Sequence, residues 1–539
     1  MEGELKPLLR EKTFYIALAL VVISTIYWMA YSSNALATYH EYGDLGLSLY
    51  NMYIDINHPN VILGVQWLVF ANHIAIDQFI SLAVFLVSES AMTLLVLQDV
   101  VLCFTALVLY LITRDMLKSN ALALAFAIAF LLNPGIHGML IFDYHAEDFI
   151  VPLYILTFYF FMKGKKLPFY VSTALLLGTI EEAPFLAITL GVALFLYAYF
   201  TPKVEDPALA KQRTWRVNQS VFLVIASIVV LAVYGVILTY LTHAYCYSGQ
   251  TTACYPLAPQ LRLLPFLSQQ VGGLTAYNAT VSSSYTTPIG AANLVYAFII
   301  VGLSFGVAVI FDFGILILLQ LSWIGEVILL DNTRFIYIFS QHYAYALGGT
   351  IVAALLGILM LREKRGKVAK WLAEKRPALY QRFLKPTFMI ALLAIIVAFL
   401  LVLEPTFLST SGHIDNLTQS FLFQVDAQQQ ANFTQLTSVV DQLPPNASLA
   451  TQDFIFPHVF NRPLIEIIDN ASYIYFLNPK YILVDFNTHV SRYAFEDNQY
   501  QIFYDLAKEN YSGQSNYTLI AYNGLAHLYE CTNPKWCDT

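Results

Sequence analysis

Charge is the scarce ingredient of this sequence. Asp, Glu, Lys and Arg together make up 12% of its 539 residues, about half the share usual in a soluble domain. The Lys and Arg form no basic stripe among exposed aromatics, which argues against nucleic-acid binding. Cysteine is scarce too, with five in all. Cys103 lies in an apolar run and reads as packing. Cys246 and Cys254 form one close pair in a polar segment, and Cys531 and Cys537 form another. Such spacing suits local disulfides in an oxidising exterior; four free thiols are the alternative. No P-loop, GxSxG elbow, HExxH or paired CxxC occurs, and "VGG" at 271–273 is too short for a phosphate loop. The first apolar run is long and lacks a small-residue cleavage site, so no cleavable leader is expected. No short-period repeat stands out.

What the chain has instead is apolar length. It is 58% hydrophobic and 15% aromatic. Runs of near-spanning length fall near 14–34, 91–113, 121–141, 148–162, 167–180, 183–200, 218–240, 291–310, 312–330, 343–361 and 387–403. The expectation is a polytopic α-helical membrane protein with about eleven transmembrane helices. Residues 61–87 are apolar but interrupted by Asn72, His73, Asp77 and Gln78, which suits amphipathic helices at the interface.

Lys and Arg set the orientation. With the N-terminus in the cytoplasm, the inner segments 1–13, 114–120, 163–166, 201–217, 311 and 362–386 hold 21 of the 28 basic residues. The segment "REKRGKVAKWLAEKR" (362–376) lies in the longest inner loop and reads as a topology determinant resting on anionic headgroups. Sequons at Asn278, Asn416, Asn432, Asn446, Asn470, Asn510 and Asn516 fall outside on this topology, as a glycosylated cell-surface protein would have them; Asn218 also matches but sits at the inner edge of a span.

The transmembrane domain is expected over 1–404, with outer loops at 35–90 and 241–290. From 405 to 539 hydropathy drops, and an extracytoplasmic α/β domain is expected. "DAQQQANFTQLTSVVDQL" and "NQYQIFYDLAKENY" read as helices and "KYILVDF" as a buried strand. "YTLIAYNGLAHLYE" reads as two strands turning at Asn523–Gly524.

The few ionisable groups outside the basic loops collect on the outer side. "FDYHAED" (142–148) holds four within seven residues: Asp143, His145, Glu147 and Asp148. "HEYGDLGLSLYNMYIDINH" (40–58) carries Asp44, "ANHIAIDQ" (71–78) carries His73 and Asp77, "IEEAPF" (180–185) carries Glu181 and Glu182, and "DNTRFIYIFSQHYAYAL" (331–347) carries Arg334 and His342. Loops are polar wherever they meet water. The loop of "FDYHAED", however, is too short to need four ionisable groups for solvation. Carboxylates at a membrane face are costly unless paired or used, and close acids raise one another's pKa. That suits a general base, or ligands for a divalent cation such as Mg²⁺ or Mn²⁺. Asp99 and Glu326 lie within spans; for Asp99, beside Gln98, a hydrogen bond between helices is the simple account.

"YGDLGLSLYNMY", "ANHIAIDQFISLAVFL", "FDYHAEDFIVPLYILTFYFFMKGK", "IEEAPFLAITLGV" and "FSQHYAYAL" occur in the order seen in an uncharacterised family of archaeal and bacterial membrane proteins. That family, a domain of unknown function, is similar to the GT-C class of polytopic glycosyltransferases. The tail segments "LPPNASLATQDFIFPHVFNRP" and "PKYILVDF" resemble its closing region, so the likeness spans most of the chain. Two departures stand out. The family usually reads His-Pro-Glu at His145-Ala146-Glu147, and Lys-Glu-Asp or similar at Glu181-Glu182-Ala183. The second leaves that loop without the basic residue that would bind an anion.

The resemblance implies a polyprenyl-phosphate sugar donor and a surface protein, lipid or glycan as acceptor. It makes Asp44, the acid of the first outer loop, the catalytic base. Arg334 and His342 would meet the departing phosphate, and Asp143, His145, Glu147, Glu181 and Glu182 would hold a metal or position the acceptor. His73 and Asp77 are further pocket candidates. Two other readings compete. One is a non-catalytic surface protein binding a lipid-linked glycan. The other is a transporter, which would carry polar groups near the midplane and broken helices in paired halves.

Overall fold

The computed structural model describes residues 11–39, 43–57, 78–200, 207–245, 299, 301–305, 313–324, 343–410, 427–452, 454–462, 464–467, 479–485, 517–524 and 526–532. Some side chains within described helices, those of Asp44 and Asp55 among them, lie outside what is described.

Most of these residues are helical. The helices run α1 (Lys12–Ala37), α2 (Gly43–Asn57), α3 (Gln78–Phe85), α4 (Ala91–Leu117), α5 (Asn120–Leu131), α6 (Pro134–Ile141), α7 (Ile150–Lys163), α8 (Lys166–Leu177), α9 (Ala183–Tyr199) and α10 (Pro207–Tyr245). They continue as α11 (Phe313–Leu319), α12 (Leu321–Ile324), α13 (Ala344–Arg362), α14 (Gly366–Lys375), α15 (Pro377–Leu384) and α16 (Pro386–Thr410). A 3-10 turn, Ala146–Phe149, precedes α7.

Among the described residues four helices are long and apolar enough to cross a membrane: α1, α4, α10 and α13. The count is six if each of two bent pairs is one span. Eleven spans were expected. Two of the expected runs, 291–310 and 312–330, extend outside the described residues; for three others the difference lies in helix length. The runs at 148–162, 167–180 and 183–200 form helices of 14, 12 and 17 residues. At 1.5 Å per residue these rise about 18–26 Å, short of a full hydrocarbon core of about 30 Å. The run at 121–141 breaks at Asn133–Pro134, where α5 and α6 bend by 45°. Asn133 caps α6 by accepting the Gly135 N–H (2.9 Å), and Pro134 takes the first helical position, where no N–H is needed. Gly164, in the left-handed region at φ 67°, ends α7 and turns the chain back into α8. Helices joined by so short a turn pack antiparallel, and these two do.

One large apolar cluster joins α1, α4–α13 and α16. At its centre is α13, rich in Gly and Ala and buried along nearly its whole length. Small residues there let α7 and α11 pack close. At one end of the bundle the basic loops meet. Arg114 pairs with Glu11 (2.5 Å), Lys163 with Asp115, Arg362 donates to the Leu117 carbonyl (2.5 Å), and Arg216 to the Met162 carbonyl (2.8 Å). The segments richest in Lys and Arg thus share one end, the arrangement the positive-inside rule describes.

The C-terminal part begins with α17 (Ala427–Val440), followed by β1 (Leu449–Thr451), α18 (Phe456–Val459), β2 (Ile465–Ile467), β3 (Tyr481–Asp485), β4 (Tyr517–Asn523) and β5 (Ala526–Cys531). The sheet order is β2-β1-β3-β5-β4, with β1 parallel to β2 and β3, and β5 antiparallel to β3 and β4. The helix over 427–440, the fully buried strand in "KYILVDF" and the final hairpin follow the sequence pattern. The hairpin turn differs by one residue. Asn523 pairs with Ala526, so the turn begins at Gly524, whose φ of +61° suits a primed turn. "NQYQIFYDLAKENY" lies outside the described residues.

Of the two disulfides expected from spacing, one can be followed at one end. Cys531 is disulfide-bonded, and Cys537, its expected partner, lies outside the described residues. For the other, Cys246 and Cys254 both lie outside the described residues, so the bond expected between Cys246 and Cys254 stays an expectation. Cys103 is a buried free thiol, as its apolar run suggested.

Candidate functional site

The acid-rich loop 142–149 sits at the end of the bundle opposite the basic cluster, between α6 and α7. Its position is fixed from three sides. Asp143 Oδ2 accepts the Leu45 N–H at 2.7 Å, inside the first turn of α2. A buried carboxylate at a helix N-terminus satisfies an otherwise orphaned donor and meets the positive end of the helix dipole. Gln98 Nε2 donates to the Met139 and Phe142 carbonyls (2.6 and 3.0 Å), which closes the C-terminal end of α6. Tyr144 shares a hydrogen bond with Ser81 of α3. Leu45, Leu49, Met52, Phe85, Leu94 and Tyr144 pack in one apolar cluster behind these bonds.

Two helices that carry or adjoin the expected segments therefore meet this loop. The helix carrying Asp44 is hydrogen-bonded through the next residue to Asp143, and the helix that follows Asp77 is bonded to Tyr144. The segment at 331–347 reaches the same region through α13, whose first residue comes two positions after His342 and which touches the 3-10 turn. Glu181 and Glu182 are buried in the turn between α8 and α9. The antiparallel packing of α7 on α8 brings that turn to the same end as Asp143. His73, Asp77, Arg334 and His342 themselves lie outside the described residues, as does the side chain of Asp44.

The loop is not a solvated surface. Asp143, Glu147 and Asp148 are only 1, 3 and 1% exposed. His145 Nδ1 lies 2.9 Å from the Asp143 carbonyl oxygen and 3.4 Å from its Oδ1, which orients the imidazole. Asp148 is the residue the sequence left outside the site set. Neither of its carboxylate oxygens makes a hydrogen bond of ordinary geometry. Burial pushes its carboxyl well above the usual carboxylate range; the nearby His145 opposes that shift and Glu147 adds to it. It was legible only as one of four ionisable groups in "FDYHAED".

Among the described residues no group of three or more His, Cys, Asp or Glu side chains is arranged to hold a metal ion. Asp143 is engaged with the α2 amide and His145 with Asp143, so the described loop residues do not by themselves fit a divalent cation. Asp99, within α4, accepts from Ser32 of α1 at 3.1 Å, the interhelical bond its setting suggests. Of the sequons, Asn446 is exposed in the turn before β1, while Asn432 is half-buried on α17 and bonded to Gln428 (3.1 Å). Asn278, Asn416, Asn470, Asn510 and Asn516 lie outside the described residues.

A feature with no sequence signal is the wedge formed by α18 in "IFPHVF". It packs on α2, with the Phe456 ring 2.7 Å from where a Cβ on Gly46 would stand. His458 stacks on Tyr39 (ring centroids 3.9 Å apart), just past the end of α1, and Phe460 joins the cluster beneath Tyr144. The C-terminal part is thereby seated on the helix that begins beside Asp143.

Among solved structures, that of ArnT from Cupriavidus metallidurans bound to undecaprenyl phosphate is similar over 98% of this chain and 100% of that one. Identity is 10% and the TM-score 0.45, a likeness too loose to carry chemistry across. No curated protein matches the chain. A family profile described as "Predicted membrane protein (DUF2079)" matches residues 56–524, and the chain, with its apolar helices gathered around a buried acidic loop, belongs to that family.

Proposed function

We propose that the protein is a GT-C-like membrane glycosyltransferase that moves a sugar from a polyprenyl-phosphate donor to a surface protein, lipid or glycan on the outer face. The observation that supports this most is the hydrogen bond from the Leu45 N–H to Asp143. It ties the helix bearing Asp44 to the buried acidic loop, which supports a shared site for the expected base and the expected positioning residues.

In this reading Asp44 takes the proton of an acceptor hydroxyl as that oxygen attacks the anomeric carbon. The bond from that carbon to the polyprenyl phosphate breaks, and the phosphate leaves with the electron pair. Arg334 and His342 stabilise its charge. Asp143 is a positioning residue: it fixes the start of α2 and with it the base. The acidic end faces the cell exterior, with the C-terminal sheet above it, and the basic end faces the cytoplasm.

The test uses purified full-length protein with a polyprenyl-phosphate sugar, with and without Mg²⁺ or Mn²⁺, reading transfer and hydrolysis. Asp44→Asn should lower turnover by about 100-fold or more while donor binding persists, as expected for loss of a general base. Asp143→Ala should lower turnover less and lower stability by about 1–3 kcal/mol, the cost of orphaning a buried amide. Undiminished transfer by Asp44→Asn would remove the basis of the assignment. A second reading, a non-catalytic protein that binds a lipid-linked glycan, is favoured by the near-complete burial of Asp143, Glu147 and Asp148. Donor binding without turnover under every metal condition would select it.

A further inference from the structure

Helices α14 and α15 differ from the rest of the bundle. One face of the pair is buried: Ala369, Leu372 and Tyr380 pack with Leu361 at the end of α13, and the Tyr380 hydroxyl donates to the Leu361 carbonyl at 3.0 Å. The other face is open. Val368, Trp371 and Leu379 are 42, 54 and 40% exposed. In the same segment Lys367, Lys370, Lys375, Arg376, Arg382 and Lys385 are all exposed. Glu363 is taken up by Arg365 at 2.8 Å, which leaves Glu374 as the acid on the two helices. Val368, Trp371 and Lys375 fall at i, i+3 and i+7, on a single stripe of α14.

Direction supplies the second observation. α15 meets α16 at 79°. The pair therefore cannot be one straight span. If α16 crosses the bilayer, α15 lies nearly flat to it. The hairpin is also held at the basic end, by Arg362 on the Leu117 carbonyl and by the Arg365 guanidinium 5.5 Å from the Tyr197 ring centroid. A short helix lying flat at a membrane face, with Trp and aliphatic side chains among Lys and Arg, has the composition of an interfacial helix.

We propose that α14–α15 is an anionic-phospholipid-binding hairpin. Trp371, Val368 and Leu379 enter the boundary between headgroups and acyl chains. The exposed Lys and Arg of the same segment take the phosphates of acidic lipids in the same leaflet. The occupant is a lipid surface rather than a soluble protein, because Leu379 sits on a helix turned 79° from α16, Val368 and Trp371 sit on the helix packed against it, and the local charge is complementary to acidic headgroups. The hairpin anchors the inner ends of α13 and α16, and this role is independent of the chemistry at the opposite end.

The experiment is amide hydrogen exchange over residues 363–385 of the full-length protein. It is run in nanodiscs of phosphatidylcholine alone and of phosphatidylcholine mixed with phosphatidylglycerol. Exchange should be several-fold slower in the mixed discs, and the difference should shrink at about 1 M salt, where the screening length falls to about 3 Å. It should also shrink in a variant carrying Lys367→Gln, Lys370→Gln, Lys375→Gln and Arg382→Gln. All four side chains are exposed, and exchange in α4 and α7 checks that this variant folds. Trp371→Ala should speed exchange over the same segment in the mixed discs. Equal exchange in the two lipids, or a lipid difference that survives both salt and charge removal, overturns the proposal.

Discussion

At the scale of single residues, burial decides which ionisable groups the fold makes sensitive. His458 is the clearest case. Stacked on Tyr39 and with its Nε2 lacking a hydrogen-bond partner, its imidazole is pushed by burial from 6.5 down to about 4. Asp441 and Asp485 are the charged groups that act on Tyr39 across this contact. Well above pH 6.5 the imidazole is neutral in both folded and unfolded chains, and no penalty arises. As pH falls toward 4, the unfolded chain binds a proton that the fold refuses, so stability drops, by about 3–4 kcal/mol at the limit; below 4 the loss levels off. Limited proteolysis of the C-terminal region should therefore quicken between pH 6.5 and 4, and His458→Gln should flatten that part of the profile. An unchanged profile in the variant would mean that the stack is not what titrates.

At the scale of elements, what matters is how α2 is held. Asp143 secures its first turn and α18 lies along it. Gly46 permits the second contact, since any Cβ would sit 2.7–2.9 Å from the Phe456 side chain. Gly46→Ala should cost about 1–3 kcal/mol, the usual cost of overpacking a tight contact. Cross-linking between Leu49→Cys and Phe460→Cys, two side chains of the same apolar cluster, should fall in the Ala variant relative to Gly46. Cross-linking that is equally efficient in both backgrounds would show that α18 tolerates the methyl group. Much of this level was legible in sequence. The strand in "KYILVDF", the helix over 427–440 and, to within one residue, the hairpin turn follow from local pattern and turn chemistry. The wedge of α18 was not, because four residues of "FPHV" carry no period to read.

At the scale of the whole molecule, charge separates along the bundle axis. Glu11, Arg114, Asp115, Lys163, Arg216 and Arg362 interlock at one end, while Asp143, Glu147, Asp148, Glu181 and Glu182 are buried toward the other. The proposed orientation predicts opposite labelling of two exposed positions. In intact cells a membrane-impermeant thiol reagent should modify Gln442→Cys, and should modify Lys367→Cys only after permeabilisation. Reversed labelling would invert the topology and remove the outward-facing site.

The sequence by itself determined that the chain is a helical membrane protein and where many of its helices lie, because hydrophobic length and Lys/Arg bias are local quantities summed over one stretch. It also marked "FDYHAED" as unusual, since four ionisable groups in seven residues stand out against apolar flanks. Only the tertiary structure decided who meets whom. Leu45 and Asp143 are 98 positions apart, and Ser32 and Asp99 are 67 apart. No local period encodes such pairings; they follow from how apolar helices pack. That packing leaves each buried polar group with the partners that the neighbouring helices present.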